Sequence, residues 1–219
     1  YIDLVRTAER GKLDAFFLGD KTAVRDDGVG LEGLQGSSGT AMLEPLTLLA
    51  ALSSVTKNIG LFSTVSTTYN HPYHTARMIA SLDHLSHGRA GWNLVTSNFD
   101  ADAKNFGLSG QLPNAERYER AREFLDVVCG LWDTWDDDAF VRNRSTGQYY
   151  DPKKVRYLNH KGKHFNVRGP LNIARPVQGH PIICQAGFSE AGYELAAETA
   201  DIMYVKTPTL EIAKQFYKD

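Results

Sequence analysis

His87-Gly88-Arg89-Ala90-Gly91-Trp92-Asn93-Leu94-Val95-Thr96-Ser97-Asn98 reads as a turn, a short strand and a polar strand end. His87 and Gly88 close a preceding helix, because glycine tolerates the left-handed conformation that a helix C-terminus asks for. Residues 89–95 are mainly apolar, with one glycine, as in a strand buried on both faces. Asn93, Thr96 and Ser97 lie at or just beyond its C-terminal end. In parallel α/β folds that end carries the ligand site. An asparagine within such a strand must find hydrogen-bond partners or cost about 1–3 kcal/mol. On this stretch alone, a ligand contact and a bond to neighbouring backbone remain open.

The same alternation of strand and helix runs outward in both directions. Upstream, residues 1–10 read as helix and 15–20 as a short apolar strand ending in Asp20. Residues 21–43 hold five glycines and almost no periodicity, so they form a long loop of the kind used as a lid or binding loop. Residues 44–55 are helical, 58–66 a strand, 67–73 a polar and aromatic turn, and 75–85 a helix. Downstream, 114–135 is the longest helix, with Tyr118, Ala121, Phe124, Leu125, Val128, Leu131 and Trp132 in one apolar stripe. Residues 139–170 have scattered aromatic and basic side chains without helical period. They are expected to make a non-barrel insertion of two or three strands, with 163–167 as one arm. A strand at 182–186, a helix at 187–200, a strand at 202–205 and a final helix complete the pattern.

Five strands separated by helices imply an α/β protein with a parallel sheet. The first strand–helix loop lacks G-x-G-x-x-G, which weakens a dinucleotide-binding fold. A complete (β/α)8 TIM barrel needs about 250 residues or more. The expectation is therefore a single domain over residues 1–219, an incomplete barrel. Helical patterns at both ends suggest the middle of a longer protein.

Composition narrows the function. The chain of 219 residues has 42% apolar and 23% charged residues and a net charge of −2. That is ordinary globular composition, with no electrostatic case for nucleic acid or an anionic membrane as partner. Cys129 and Cys184 stand far apart and outside any Cys/His cluster, which fits reduced thiols in a cytoplasmic protein. No apolar run approaches the roughly 20 residues that span a bilayer.

Polar residues stand at four strand ends, which a barrel gathers on one face. They are Asp20, then Thr64, Ser66 and Thr67, then Asn93, Thr96 and Ser97, then Gln185-Ala186-Gly187-Phe188-Ser189. In the last, Gly187 and Ser189 at a helix start leave backbone N–H groups and a hydroxyl free for an anion, although a plain N-cap serine reads the same way. Tyr118 is either a core tyrosine or a phosphate-binding phenol. His71 and His74 follow a strand end, but lack the third ligand of a metal site, so no metal is expected. Arg117, Arg120 and Arg122 among Glu116, Glu119 and Glu123 read most simply as a salt-bridged helix face.

Ser66-Thr67-Thr68-Tyr69-Asn70-His71-Pro72-Tyr73, residues 82–97, Asn105-Phe106-Gly107-Leu108, Arg117-Tyr118-Glu119-Arg120 and residues 185–192 occur together and in order. This set resembles the bacterial-luciferase-like flavin monooxygenases, and within them the nitrilotriacetate, dibenzothiophene-sulfone and long-chain-alkane monooxygenase branch. The resemblance implies a (β/α)8 TIM barrel with an insertion between its fourth and fifth core strands, of which the first strand and the last two have no counterpart in this sequence. It implies reduced FMN supplied by a separate flavin reductase, O2, a small organic substrate and a homo-oligomer. By position, Asp20 would lie beside the flavin ring, and Asn93 and Thr67, with Ser97 nearby, would touch the ring or ribityl chain. Tyr118 and Ser189, with Gly187 and Phe188, would hold the phosphate. Phe188 departs from the small residue usual in that loop. His71 and His74 are the candidates for a catalytic acid or base. The alternatives are a deazaflavin-dependent oxidoreductase of the same superfamily, or a non-catalytic flavin-binding protein or inactive barrel fragment. An oxidase assay comparing reduced FMN with a reduced deazaflavin separates the two enzymes.

Overall fold

The computed structural model describes residues 1–26, 28–187 and 189–218. The chain begins with α1 (Ile2–Arg10), β1 (Ala15–Leu18), the single-turn α2 (Gly30–Gly33), α3 (Pro45–Ser53), β2 (Gly60–Ser66), α4 (Pro72–Ser86) and β3 (Ala90–Val95). It continues through α5 (Asp100–Asn105), α6 (Asn114–Trp132), the short strands β4 (His160–Lys161) and β5 (Asn166–Val167), β6 (Ile182–Gln185), α7 (Glu190–Thr199), β7 (Ile202–Met203) and α8 (Leu210–Lys218). The five core strands form one sheet in the order β1-β2-β3-β6-β7, and every neighbouring pair is parallel. The core strands expected at 15–20, 58–66, 89–95, 182–186 and 202–205 are these five.

The sheet is strongly curled. In a flat sheet at ~4.8 Å per strand, β1 and β7 would lie about 19 Å apart. Instead Phe17 of β1 stacks on Tyr204, just beyond β7, with ring centroids 5.5 Å apart. Alternation along β3 then separates two faces. Trp92 is fully buried on the helix side, against Phe124 of α6, and its indole N–H donates to the Val65 carbonyl at 3.0 Å. Gly91 and Asn93 face the concave side. Gly91 is obligatory there, because a Cβ would sit 2.4 Å from the Phe62 ring that crosses the strand.

Local signals explain the helix boundaries. Glu44 caps α3 by accepting from the Leu46 and Thr47 N–H groups at 2.8 and 2.7 Å, and Pro45 opens the helix. The turn expected at 67–73 is shortened, because Pro72 starts α4 with His71 as its N-cap. At the other end His87 itself takes the left-handed position, φ +57°, and Gly88 follows at φ +81°. His84 instead bonds the Ala174 carbonyl at 3.2 Å. The loop at 21–43 contains α2, and α5 is an element that periodicity did not indicate.

The arginines of α6 correct the sequence reading: they bond other parts of the fold, not their helix neighbours. Arg117 is buried and reaches backbone beyond the strand ends, while Arg120 donates to the Thr67 carbonyl at 3.3 Å. Arg122 pairs with Glu194 and Glu198 of α7. Glu119 takes Lys163 at 2.7 Å. Between α6 and β6 the chain makes the antiparallel pair β4–β5 and isolated bridges at Trp135–Val155 and Asn143–Gln148. Of the expected arm at 163–167, only Asn166–Val167 is strand. Among the described residues no helix is long and apolar enough to cross a membrane.

Glu123 anchors the β4–β5 hairpin to α6. Its carboxylate accepts from His160 Nε2 at 2.9 Å and from the His164 and Phe165 N–H groups at 2.9 and 2.8 Å. Burial pushes its pKa up, but the His160 bond, the two N–H groups and the His160 charge outweigh it and hold the carboxyl at about 2, below the ordinary 4.5. A folded-state pKa below the unfolded one gives stability that is complete above about pH 4.5 and is lost as pH falls towards 2. Amide protection at His164 and Phe165 should therefore decay across that window. Glu123→Gln should cost about 1.5–3 kcal/mol at neutral pH. A denaturation midpoint unchanged by the substitution would contradict this anchor.

Candidate active site

The carboxyl ends of β1, β2, β3 and β6 surround an open cavity of about 500 Å³. Asp20 enters from the end of β1, Thr64 from β2, Asn93 and Ser97 from β3 and its extension, and Gly187 and Ser189 from the β6–α7 turn. Tyr118 and Arg117 reach it from the first turns of α6, and Arg25 from the long loop.

Asn93 sits opposite Thr64 in the parallel register. Its amide donates to Thr64 Oγ1 at 2.8 Å, while its Oδ1, buried, has no hydrogen-bond partner among the described residues. An acceptor left that way costs about 1–3 kcal/mol unless a ligand supplies a donor. Ser97 lies in the left-handed region at φ +55°. Arg117 holds it there by donating to the Ser97 carbonyl, and also reaches Thr96 Oγ1 and the Leu112 carbonyl at 3.2 and 3.1 Å. The Ser97 hydroxyl donates to Ser66 Oγ at 2.8 Å.

On the opposite wall, Ser189 caps α7, accepting from the Gly192 N–H at 3.2 Å and donating to the Tyr118 hydroxyl at 3.3 Å. No side chain fits between them. A Cβ on Gly192 would lie 2.9 Å from the Tyr118 oxygen, and one on Gly187 3.2 Å from Gly192 Cα. Hydroxyls, a helix N-terminus and the nearby Arg117 make this wall suited to an anion. Phe188 lies outside the described residues. Burial raises the Asp20 carboxyl above its ordinary range. Arg25 stacks on Phe99 at 3.6 Å and pairs with buried Asp102 at 3.0 Å, which ties the long loop to α5.

Of the residues singled out in the sequence, Asp20, Asn93, Ser97, Tyr118, Gly187 and Ser189 converge on this cavity. Thr67 does not line it: its N–H and hydroxyl both donate to the Val95 carbonyl, at 2.9 and 3.3 Å. His71 is also elsewhere, its Nδ1 accepting from the Tyr73 N–H as the cap of α4. Burial, with His74 and Arg120 nearby, lowers its pKa. His74 lines a separate groove between α3 and α4. Among the described residues no cluster of three or more metal-ligating side chains occurs. Arg25 and Arg117 are cavity residues that the sequence did not reveal. The charge pattern around Arg117 matches an ordinary solvated helix face, and Arg25 meets its partner 77 positions away.

A parallel α/β sheet whose strand ends frame such a cavity agrees with the result of comparison: the luciferase-like monooxygenase family model matches residues 1–219, and the chain belongs to that family. Nitrilotriacetate monooxygenase component A of Aminobacter aminovorans is 50% identical over 224 residues, covering all of this chain and 49% of the relative. Long-chain alkane monooxygenase of Geobacillus thermodenitrificans is 39% identical over 226 residues, covering all of this chain and 50% of the relative. The crystal structure of long-chain alkane monooxygenase superposes with a TM-score of 0.90, covering 100% of this chain and 51% of that one. A riboflavin lyase structure with modified FMN and riboflavin is 34% identical, with a TM-score of 0.87 over 99% of this chain and 49% of that one. The chain thus spans about half the length of the relatives it matches.

Arg117 gives the site a direct test. Arg117→Met removes the fork that pins residues 96–97 and should cost about 3 kcal/mol, with faster amide exchange at 96–99. Arg117→Lys should recover little, because one ammonium cannot reach the same three acceptors in a plane. Full rescue by lysine would show that charge alone matters here.

Proposed function

We propose that the cavity binds FMN and that the protein is the oxygenase component of a two-component flavin-dependent monooxygenase, acting with reduced FMN and O2 on a small organic substrate. The observation that carries this reading is the cavity lined by Asn93, whose buried Oδ1 has no partner among the described residues, together with the anion cradle at the Ser189 wall. The family and the flavin in a relative's structure support it.

Ser189, Gly187 and the Tyr118 hydroxyl would hold the phosphate, with Arg117 adding positive charge. Asn93, Asp20 and Ser97 would face the rest of the flavin. Bound FMN would supply the electrons that activate O2; the chain's part is to bind, orient and limit water. Neither His71 nor His74 lines this cavity, so neither is offered as its acid or base. Reduced FMN would come from a flavin reductase, the partner suggested by "component A" in the name of a relative. A homo-oligomer in the cytoplasm completes the proposal.

The five strands would be part of an eight-stranded barrel whose first and last two strands lie outside this sequence. Residues 1–219 would then be one partial barrel domain, with 139–170 as its insertion. Coverage of about half of each relative and the curl of the sheet support this.

Asn93→Leu removes an unsatisfied acceptor together with the bond to Thr64 Oγ1, so the melting temperature of the flavin-free protein should change little. FMN affinity should fall about tenfold or more. Ser189→Asp should keep α7 capped but repel the phosphate, again weakening FMN while preserving the melting temperature. Calorimetric titration showing unchanged FMN affinity in both variants would reject this cavity as the flavin site.

A further inference from the structure

A second, much smaller cavity of about 10 Å³ shares the residues Asp20, Thr64, Val95 and Ser97 with the main cavity. Its far side is made by Thr22 and by Asp102 of α5. Asp102 is 1% exposed; its Oδ2 takes Arg25, while its Oδ1 is buried without a partner among the described residues. Thr22 Oγ1 is in the same condition. The volume is about that of a single water, and a buried water needs two to four polar partners. Ser66 and Thr64 supply the complement. Ser66 Oγ accepts from the Thr68 N–H and from Ser97, and Thr64 Oγ1 accepts from Asn93, so both hydroxyl protons remain to be donated. This mixture of donors and acceptors suits water better than a cation, which takes acceptors only.

We propose that one buried water joins Asp20 to Asp102 and that the two carboxylates hold a single proton, carried mainly by Asp20. Two carboxylates that line one cavity this small, one of them only 1% exposed, do not both ionise readily. The proton is placed on Asp20 because Asp102 Oδ2 already accepts from Arg25 at 3.0 Å. The charged groups acting on Asp20 are Arg25 of its own loop, Asp102 of α5 and Glu44 at the start of α3. The neighbouring ends of β2 and β3 contribute Thr64, Ser66, Val95 and Ser97, none of them titratable at ordinary pH. Burial raises the Asp20 carboxyl, and Glu44 and Asp102 act in the same direction, against the Lys21 N–H and Arg25. Whenever it holds that proton, Asp20 presents the main cavity with a hydrogen-bond donor, which an ionised carboxylate cannot be. Its value to a bound flavin rests on the reading above; the shared proton does not.

The test uses flavin-free protein, so its failure is separate from failure to bind FMN. In carbon-13 NMR, Asp20 should titrate above the ordinary 3.8, and Asp102→Asn should bring its midpoint down. Arg25→Gln should move that midpoint the other way. A midpoint unchanged by Asp102→Asn would show that burial alone governs Asp20 and would overturn the pair. Asp20→Asn should melt above the wild type at neutral pH, with the difference closing as pH falls through the Asp20 midpoint and gone below the ordinary 3.8, because a raised folded-state pKa adds stability only on the acid side. Should the Asp102 variant fail to fold, a high-resolution crystal structure of the wild type decides. It should show one solvent peak within about 3.2 Å of Asp102 Oδ1 and Thr22 Oγ1. An empty cavity, or a peak ringed by five or more oxygens at cation distances, would overturn the proposal.

Discussion

The placement of Trp92 and Asn93 on opposite faces of the central strand fixes most of this structure. Trp92 is fully buried among the helices, and Asn93 is buried at the cavity wall. A slip of one residue in β3 would bring the indole to the cavity and the amide into the apolar layer, so the register has one acceptable setting. Once Asn93 lies opposite Thr64 and Cys184, the ends of β2, β3 and β6 are level. Gly91 makes this possible by leaving room for Phe62 across the concave face.

Helix α6 joins that sheet to the remaining elements. Its first turns present Arg117 and Tyr118 to the cavity, Glu123 anchors the β4–β5 hairpin, and Trp132 donates to the Ala76 carbonyl of α4 at 3.1 Å. Its apolar side covers Trp92 through Phe124. The same helix therefore bears core packing and ligand chemistry, which explains why stability and binding have to be measured separately in variants of its first turns.

Much of this was legible in the sequence because strand–helix alternation leaves a strong periodic signal. Strand ends were legible as well: Asp20, Asn93, Ser97 and Ser189 were singled out there and converge on one cavity. What remained hidden depends on partners distant in sequence. Thr67 reads like its neighbours, yet the sheet consumes its N–H and hydroxyl. Arg117 and Arg122 share one charged helix pattern, but only the fold decides that the first is buried against strand ends and the second meets α7. The Arg25–Asp102 pair had no local signature. The cap formed by His71 was equally hidden, because a histidine before Pro72 reads the same at a ligand site as at a helix start.

The central claim is that the cavity recognises a phosphate at one wall and a flavin beyond it. Parallel titrations with FMN and riboflavin, which differ by that phosphate, test this most directly. The account predicts that FMN binds at least tenfold more tightly, and that the advantage shrinks as salt concentration rises, since the phosphate contact is charge-assisted. Equal affinity for the two flavins at low salt would contradict it.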